Sequence, residues 1–343
     1  MAALFGRSDL GNLSADDFSE ALQDRLGDEF LPICWMKGVL DLIISPITVV
    51  ANGFIIIATI IDPFKNLKAT PSSTFILSLA LSDFLVGILF GPLSGFWFVY
   101  FAIKKRAPFS VTVLAVNSVL VAVSVFILLS LSVDRYIAVT TPLHYSRRIT
   151  KKKALVISLC IWGYSTMLGV LVAFLRNKFQ LYGLIVSSHI MLSFCALLVL
   201  NAIGIVSVRK QGKFLKDADS SSVNENSLRI VYEREKKVTR AVFIVIAAFQ
   251  ITFLPYIIMS ILLFKCFSCR EYVNLLAWLY HFATVMVNVN SLLNPFLYGW
   301  RVPKYRQALK YFMNIGIRKN VTALGSKCKS ETCSAQFQQD TKM

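Results

Sequence analysis

The chain has 343 residues, of which 56% are hydrophobic and only 16% charged, with a formal net charge of +17. That balance excludes an ordinary soluble domain. Apolar runs of bilayer length recur along the chain, so it reads as an all-α, polytopic membrane protein. Seven cysteines are too few for a disulfide scaffold.

Residues 1–37 are polar and acidic and read as a disordered tail. Asn12-Leu13-Ser14 is a glycosylation sequon, usable if this end lies outside the cell. Seven apolar segments follow, at about 38–61, 72–99, 109–139, 153–175, 181–208, 238–264 and 272–299. Mostly short connectors suit antiparallel neighbours in a helical bundle. The longest connector, 209–230, is rich in serine and asparagine in its middle. The sixth segment extends as a soluble helix from about Val231, because EREKKVTR contains no breaker. Pro303 opens a basic amphipathic stretch, KYRQALKYFMNIGI, expected to lie as a short helix on the inner membrane surface. The bundle with this helix therefore spans 38–315, and 316–343 form a polar tail.

Most of the 36 Lys and Arg fall on the side of the C-terminal tail. The positive-inside rule then puts the C-terminus in the cytoplasm and residues 1–37 outside. The net charge is accounted for by topology and by attraction to lipid headgroups, which leaves no nucleic-acid partner to explain. Lys104-Lys105-Arg106 on the outer side runs against the rule.

Polar residues within the spans carry the chemistry. On the third span Asn117 and Arg135 share a face five turns apart, about 27 Å along the axis, with Ser124 between them. Asp83 lies midway along the second span. Asn52, Ser124, Asn290, Ser291 and Asn294 supply oxygens that could converge on it, a set suited to a small hard cation such as Na⁺. The plain alternative is a hydrogen-bonded structural aspartate. Pro295 and Pro255 each break a helix locally, and Phe249 and Phe253 lie a turn apart beside the second kink. Arg135 either snorkels to the headgroups or pairs with Asp134 and with Glu235 on the sixth span, which would make a breakable clamp.

Seven spans with Asn52, Ser82-Asp83, Asp134-Arg135-Tyr136, Trp162, Phe249-x-x-x-Phe253-Leu-Pro255 and Asn294-Pro295-x-x-Tyr298, in that order, resemble the rhodopsin-like (class A) G-protein-coupled receptors. The resemblance covers about 38–315. It implies an extracellular ligand and a heterotrimeric G protein as partners, a plasma-membrane location, no enzymatic activity and no required cofactor, with Na⁺ as an allosteric ion at Asp83. It also implies that Asp134, Arg135, Tyr136, Glu235, Phe249, Phe253, Pro255, Pro295 and Tyr298 form the activation switch. The departures narrow the ligand. Ser110 stands where the family usually has a cysteine, Ser193 where it has a proline, and Asn201 where it has a tyrosine. These features look like the branch of melanocortin, cannabinoid, lysophospholipid and adenosine receptors, as does an outer disulfide between two of Cys34, Cys266 and Cys269. Asn117 replaces the aspartate of aminergic receptors and Asn288 the lysine of opsins. What remains is a mainly apolar pocket with Asn117, His189, Tyr256, Tyr280, His281, Thr284 and Asn288 as candidate contacts for a small molecule, a lipid or a short peptide. A transporter or channel, the rival reading, would show paired repeats or a path of ionisable groups, and the sequence has neither.

Overall fold

The computed structural model describes residues 30–63, 70–104, 111–141, 144–175, 179–217, 223–265, 272–302, 304–308 and 310–312. Seven helices long and apolar enough to cross a membrane run through them. They are α1 (Phe30–Ile61), α2 (Pro71–Lys104), α3 (Val111–Thr140), α4 (Lys151–Phe174), α5 (Phe179–Asp217), α6 (Val223–Lys265) and α7 (Val273–Arg301). No strand occurs among the described residues.

The packing order follows from which faces are apolar and which are small. α3 is the axis and packs against α2, α4, α5 and α6. It buries Val123, Ile127, Leu128 and Leu131 completely or nearly so. α1 closes against α2 and α7, and α7 against α6. Trp162 of α4 donates to the Ser78 hydroxyl of α2 at 3.0 Å, which joins those two helices behind α3.

Three helices differ from the sequence expectation. α1 starts at Phe30 rather than at 38. Pro32 lies in the first turn, where its missing N–H costs nothing, and Phe30, Ile33 and Cys34 bury against Phe98 and Phe101 of α2. α5 and α6 both run far into the expected 209–230 connector. They pair there as a helical hairpin in which the Tyr232 hydroxyl donates to the Val208 carbonyl at 2.6 Å. Burial beside Glu233 holds that phenol above its ordinary range.

Residues 304–308 and 310–312 are helical, with Tyr305 and Ala308 buried against the bundle and Arg306, Gln307 and Lys310 exposed. This is the expected amphipathic helix. Burial pushes the Tyr305 phenol up to about 12, so it stays protonated where it packs on Tyr298 with ring centroids 6.2 Å apart. Asn12, Cys266, Cys269 and Pro303 lie outside the described residues. Cys34 is a buried free thiol.

α2 contains a π-helical turn at Val86–Phe90. The extra residue resets the face that the second half of the helix presents to α1. α1 and α2 then approach closely. A Cβ on Gly91 would collide with the Ser45 hydroxyl oxygen, and one on Gly95 would fall 2.6 Å from Leu42. A side chain at either position would force Ser45 or Leu42 of α1 to shift, and the close contact brings Ser94 onto α1.

Candidate functional site

Three polar centres lie along the bundle. The first is at the Arg135 end of α3. Arg135 is 2% exposed and bonds in several directions. Its Nε and Nη2 donate to Asp134 Oδ2 at 3.0 and 2.8 Å, and its Nη1 donates to Glu235 Oε2 of α6 at 3.0 Å. Nη2 also reaches the hydroxyls of Tyr145, at 3.0 Å, and Ser72. Asp134 is fully committed in turn, accepting from Ser72 at 2.7 Å and from Tyr145 at 2.8 Å. Tyr145 sits on a single helical turn, Tyr145–Arg148, and burial holds its phenol above the ordinary range. The structure brings Asp134, Arg135 and Glu235 together. Ser72 and Tyr145 join them, and sequence reasoning missed both because nothing local marks them. Tyr136 is exposed and stands outside the clamp.

The second centre is midway. Asp83 is buried completely, and its Oδ2 accepts from Asn294 Nδ2 at 2.8 Å. Asn52 Nδ2 donates at 3.0 Å to the Ser291 carbonyl, the group that Pro295 leaves without its helical donor. Four oxygens remain without a donor: Asp83 Oδ1, Asn52 Oδ1, Asn290 Oδ1 and Asn294 Oδ1. Ser124 faces Ser82, with the hydroxyls 3.2 Å apart, rather than the carboxylate itself. The Tyr298 hydroxyl is buried without a partner. Phe249 and Phe253 stack with centroids 4.1 Å apart, both buried, and Pro255 lies within α6 just beyond them. Asn201 of α5 donates to Gln250 of α6 at 3.3 Å and ties the same region sideways.

The third centre gathers the candidate ligand contacts at the Phe30 end. Tyr256 and Tyr280 face each other across α6 and α7 at 5.8 Å, and His281 packs on Tyr280 at 5.4 Å. Asn117 is half-buried on α3. Two candidates are placed elsewhere or already committed. His189 bonds the Tyr164 hydroxyl on the α4–α5 face, where Tyr164 is exposed. The Thr284 hydroxyl bonds the His281 carbonyl of its own helix at 2.7 Å.

Asn288 leads to a feature that sequence reasoning passed over. Its Nδ2 donates at 2.8 Å to Asp41 Oδ1 of α1. Asp41 Oδ2 accepts from Ser94 at 2.7 Å and from the Lys37 ammonium at 2.7 Å. The pair is buried, with side-chain exposures of 6% for Lys37 and 0% for Asp41. The signal was available: an opposite-charge pair at i,i+4 can enter an apolar helix as a neutral unit. Ending the tail at residue 37 put Lys37 on the wrong side of the boundary.

Comparisons with known proteins bear on the family and the fold. The family described as 7 transmembrane receptor (rhodopsin family) matches residues 51–298. Trace amine-associated receptor 13c of Danio rerio is 28% identical over 79% of this chain and 83% of its own. Human adenosine receptor A2a is 27% identical over 69% of this chain and 62% of its own. The crystal structure of squid rhodopsin superposes with a TM-score of 0.66 at 17% identity, covering 84% of this chain and 87% of that one, which shows the shared fold. The chain belongs to the rhodopsin family of seven-transmembrane receptors and is a G-protein-coupled receptor, not an enzyme.

Proposed function

We propose that this receptor takes its ligand at the Phe30 end, with the N-terminus extracellular, and engages a heterotrimeric G protein at the Arg135 end, in the cytoplasm. The skew of Lys and Arg toward the C-terminal side supports that orientation. A small molecule, lipid or short peptide entering among Asn117, Tyr256, Tyr280 and Asn288 contacts α3, α6 and α7 together. It favours whichever packing of those helices it binds better.

The observation that carries the reading is the Arg135 clamp. One guanidinium holds Asp134 of α3 and Glu235 of α6, so α6 cannot move away from α3 without breaking it. Release lets α6 pivot about Pro255 and opens a groove for a helix of the G protein. Arg135→Ala is expected to reach the membrane yet lose ligand-stimulated nucleotide exchange on a purified G protein. Full exchange in that variant would defeat the reading.

Unpartnered oxygens on Asp83 and on Asn294, which bonds it, together with those of Asn52 and Asn290, are the ligand type that suits a small hard cation such as Na⁺. Bound there, it would supply the positive charge that the buried carboxylate lacks and would favour the closed packing. Asp83→Asn should abolish any stabilisation by NaCl relative to choline chloride in a thermal-unfolding assay. A sodium response that survives the substitution would remove the ion from the mechanism.

A further inference from the structure

Lys37 and Asp41 are a buried charge pair that the activation scheme does not use. The two members are held very differently. The Asp41 carboxylate is fixed from three helices: by Ser94 of α2, by Asn288 of α7 and by Lys37 one turn away on α1. Two of those donors are neutral and would remain if Lys37 left. The Lys37 ammonium makes a single hydrogen bond, to Asp41, and lies 4.9 Å from the centre of the Phe98 ring. Among the described residues, two of its three N–H donors have no acceptor, and its stem is four flexible methylenes. It is rooted one turn nearer the start of α1 than its partner. Phe30, the first described residue of α1, is about 10 Å back along the helix, and a long lysine stem can snorkel in that direction.

Around the pair the walls are aromatic. The Phe98 ring that faces the ammonium also packs edge-on against His281 at 5.5 Å, and Phe30 covers the same imidazole at 5.8 Å. His281 is 9% exposed, and its Nδ1 has no hydrogen-bond partner. A carboxylate with preset donors, an aromatic face and an unpaired ring nitrogen together make a seat for an organic cation. In this structure the protein's own lysine occupies it.

We propose that Asp41 is a recognition point for a primary ammonium ligand with an aromatic or short apolar body, which binds by displacing the Lys37 ammonium. The proposal deepens the receptor reading and rests on it. Charge balance selects the ligand class. Exchanging one ammonium for another leaves the buried site neutral while Lys37 regains water. An anion drawn to Lys37 would set two negative charges against one positive charge in an apolar interior. A neutral molecule that displaced Lys37 would leave Asp41 uncompensated. The seat also gives an amine a carboxylate partner in a chain where Asn117 cannot serve as one.

The test is thermal unfolding of the purified full-length receptor in lipid nanodiscs, without G protein, titrated with benzylammonium, benzyl alcohol and benzoate. Wild type is expected to show a saturable upward shift with benzylammonium only. The charge-neutral variant Lys37→Met/Asp41→Asn, which keeps the packing without the pair, is expected to show none. Lys37→Ala lacks the tethered competitor and should bind benzylammonium about tenfold more tightly or better. It should also be stabilised by n-propylammonium, which replaces the missing atoms. The proposal is overturned by no shift in wild type even if Lys37→Ala responds, and by an equal shift in the double variant. A benzoate response in wild type overturns it as well. Nucleotide exchange measured separately tells failure of this seat from failure of the receptor reading.

Discussion

The two ends of the bundle solve the same problem in opposite ways. Each buries a cation against a carboxylate in an apolar interior, which costs several kcal/mol per ion unless geometry and further hydrogen bonds compensate. At the Lys37 end both charges stand on one helix, a turn apart, and the neutral donors from α2 and α7 converge on the carboxylate. At the Arg135 end the cation is the hub, and its bonds fan out to Asp134, Ser72, Tyr145 and, across a helix boundary, Glu235. The first pair can lose its cation without α1 letting go of α2 or α7. The second cannot lose Glu235 without losing the bond from its guanidinium that ties α3 to α6. One arrangement is suited to exchanging a ligand and the other to reporting a movement.

The largest effect should come from breaking the Lys37–Asp41 pair on one side only. Lys37→Ala leaves Asp41 buried, charged and short of its cation, a loss of about 3–5 kcal/mol. Lys37→Met/Asp41→Asn removes both charges and should recover most of that, because neutral amide and hydroxyl partners remain at Ser94 and Asn288. Thermal unfolding in detergent separates the two. Equal destabilisation of both variants would mean that packing, not charge, holds this end together.

Tyr145→Phe should come next. The hydroxyl accepts from Arg135 and donates to Asp134, and bonds to charged groups contribute about 2 kcal/mol net. The unfolding temperature should fall, while basal nucleotide exchange changes less than twofold, because the Arg135–Glu235 contact between α3 and α6 is untouched. A large rise in basal exchange would make Tyr145 part of the latch rather than part of its mounting.

How much of this could be read from the chain depends on how local each signal is. The seven spans were legible because an uninterrupted apolar run of bilayer length is poorly accommodated anywhere but in a membrane. The short helix after α7 was legible because its basic and apolar faces alternate with helical period. Arg135 and Glu235 were legible only as candidate partners, beside a snorkelling Arg135, because charge near membrane depth is scarce but its pairing is a tertiary contact. Ser72 and Tyr145 were not, since a serine and a tyrosine near helix ends are ordinary until the tertiary contact puts them on one guanidinium. The Asp41 network was hidden for a related reason. Its donors are 53 and 247 residues away in sequence, and it depends on a π-helical turn and two glycines that let α1 and α2 close up. His189 was offered as a candidate contact, and its bond to Tyr164 on the α4–α5 face is a tertiary contact that the sequence does not mark.

The smallest change in stability should carry the clearest functional signal. The Glu235 side chain is 24% exposed, so solvent screens its pairing with Arg135, and Glu235→Ala should cost no more than about 1 kcal/mol. Arg135 keeps Asp134, Ser72 and Tyr145, so the fold at that end survives. What is lost is the only bond from the Arg135 guanidinium, among the described residues, that ties α3 to α6. If the closed packing is favoured partly by that bond, removing about 1 kcal/mol shifts the closed-to-open ratio roughly fivefold. Basal nucleotide exchange without ligand should rise by a similar factor, with the unfolding temperature nearly unchanged. Glu235→Gln keeps an acceptor for the guanidinium and should fall between the two. Basal exchange that stays flat in both variants would put the restraint on α6 elsewhere, at the Asn201–Gln250 contact with α5.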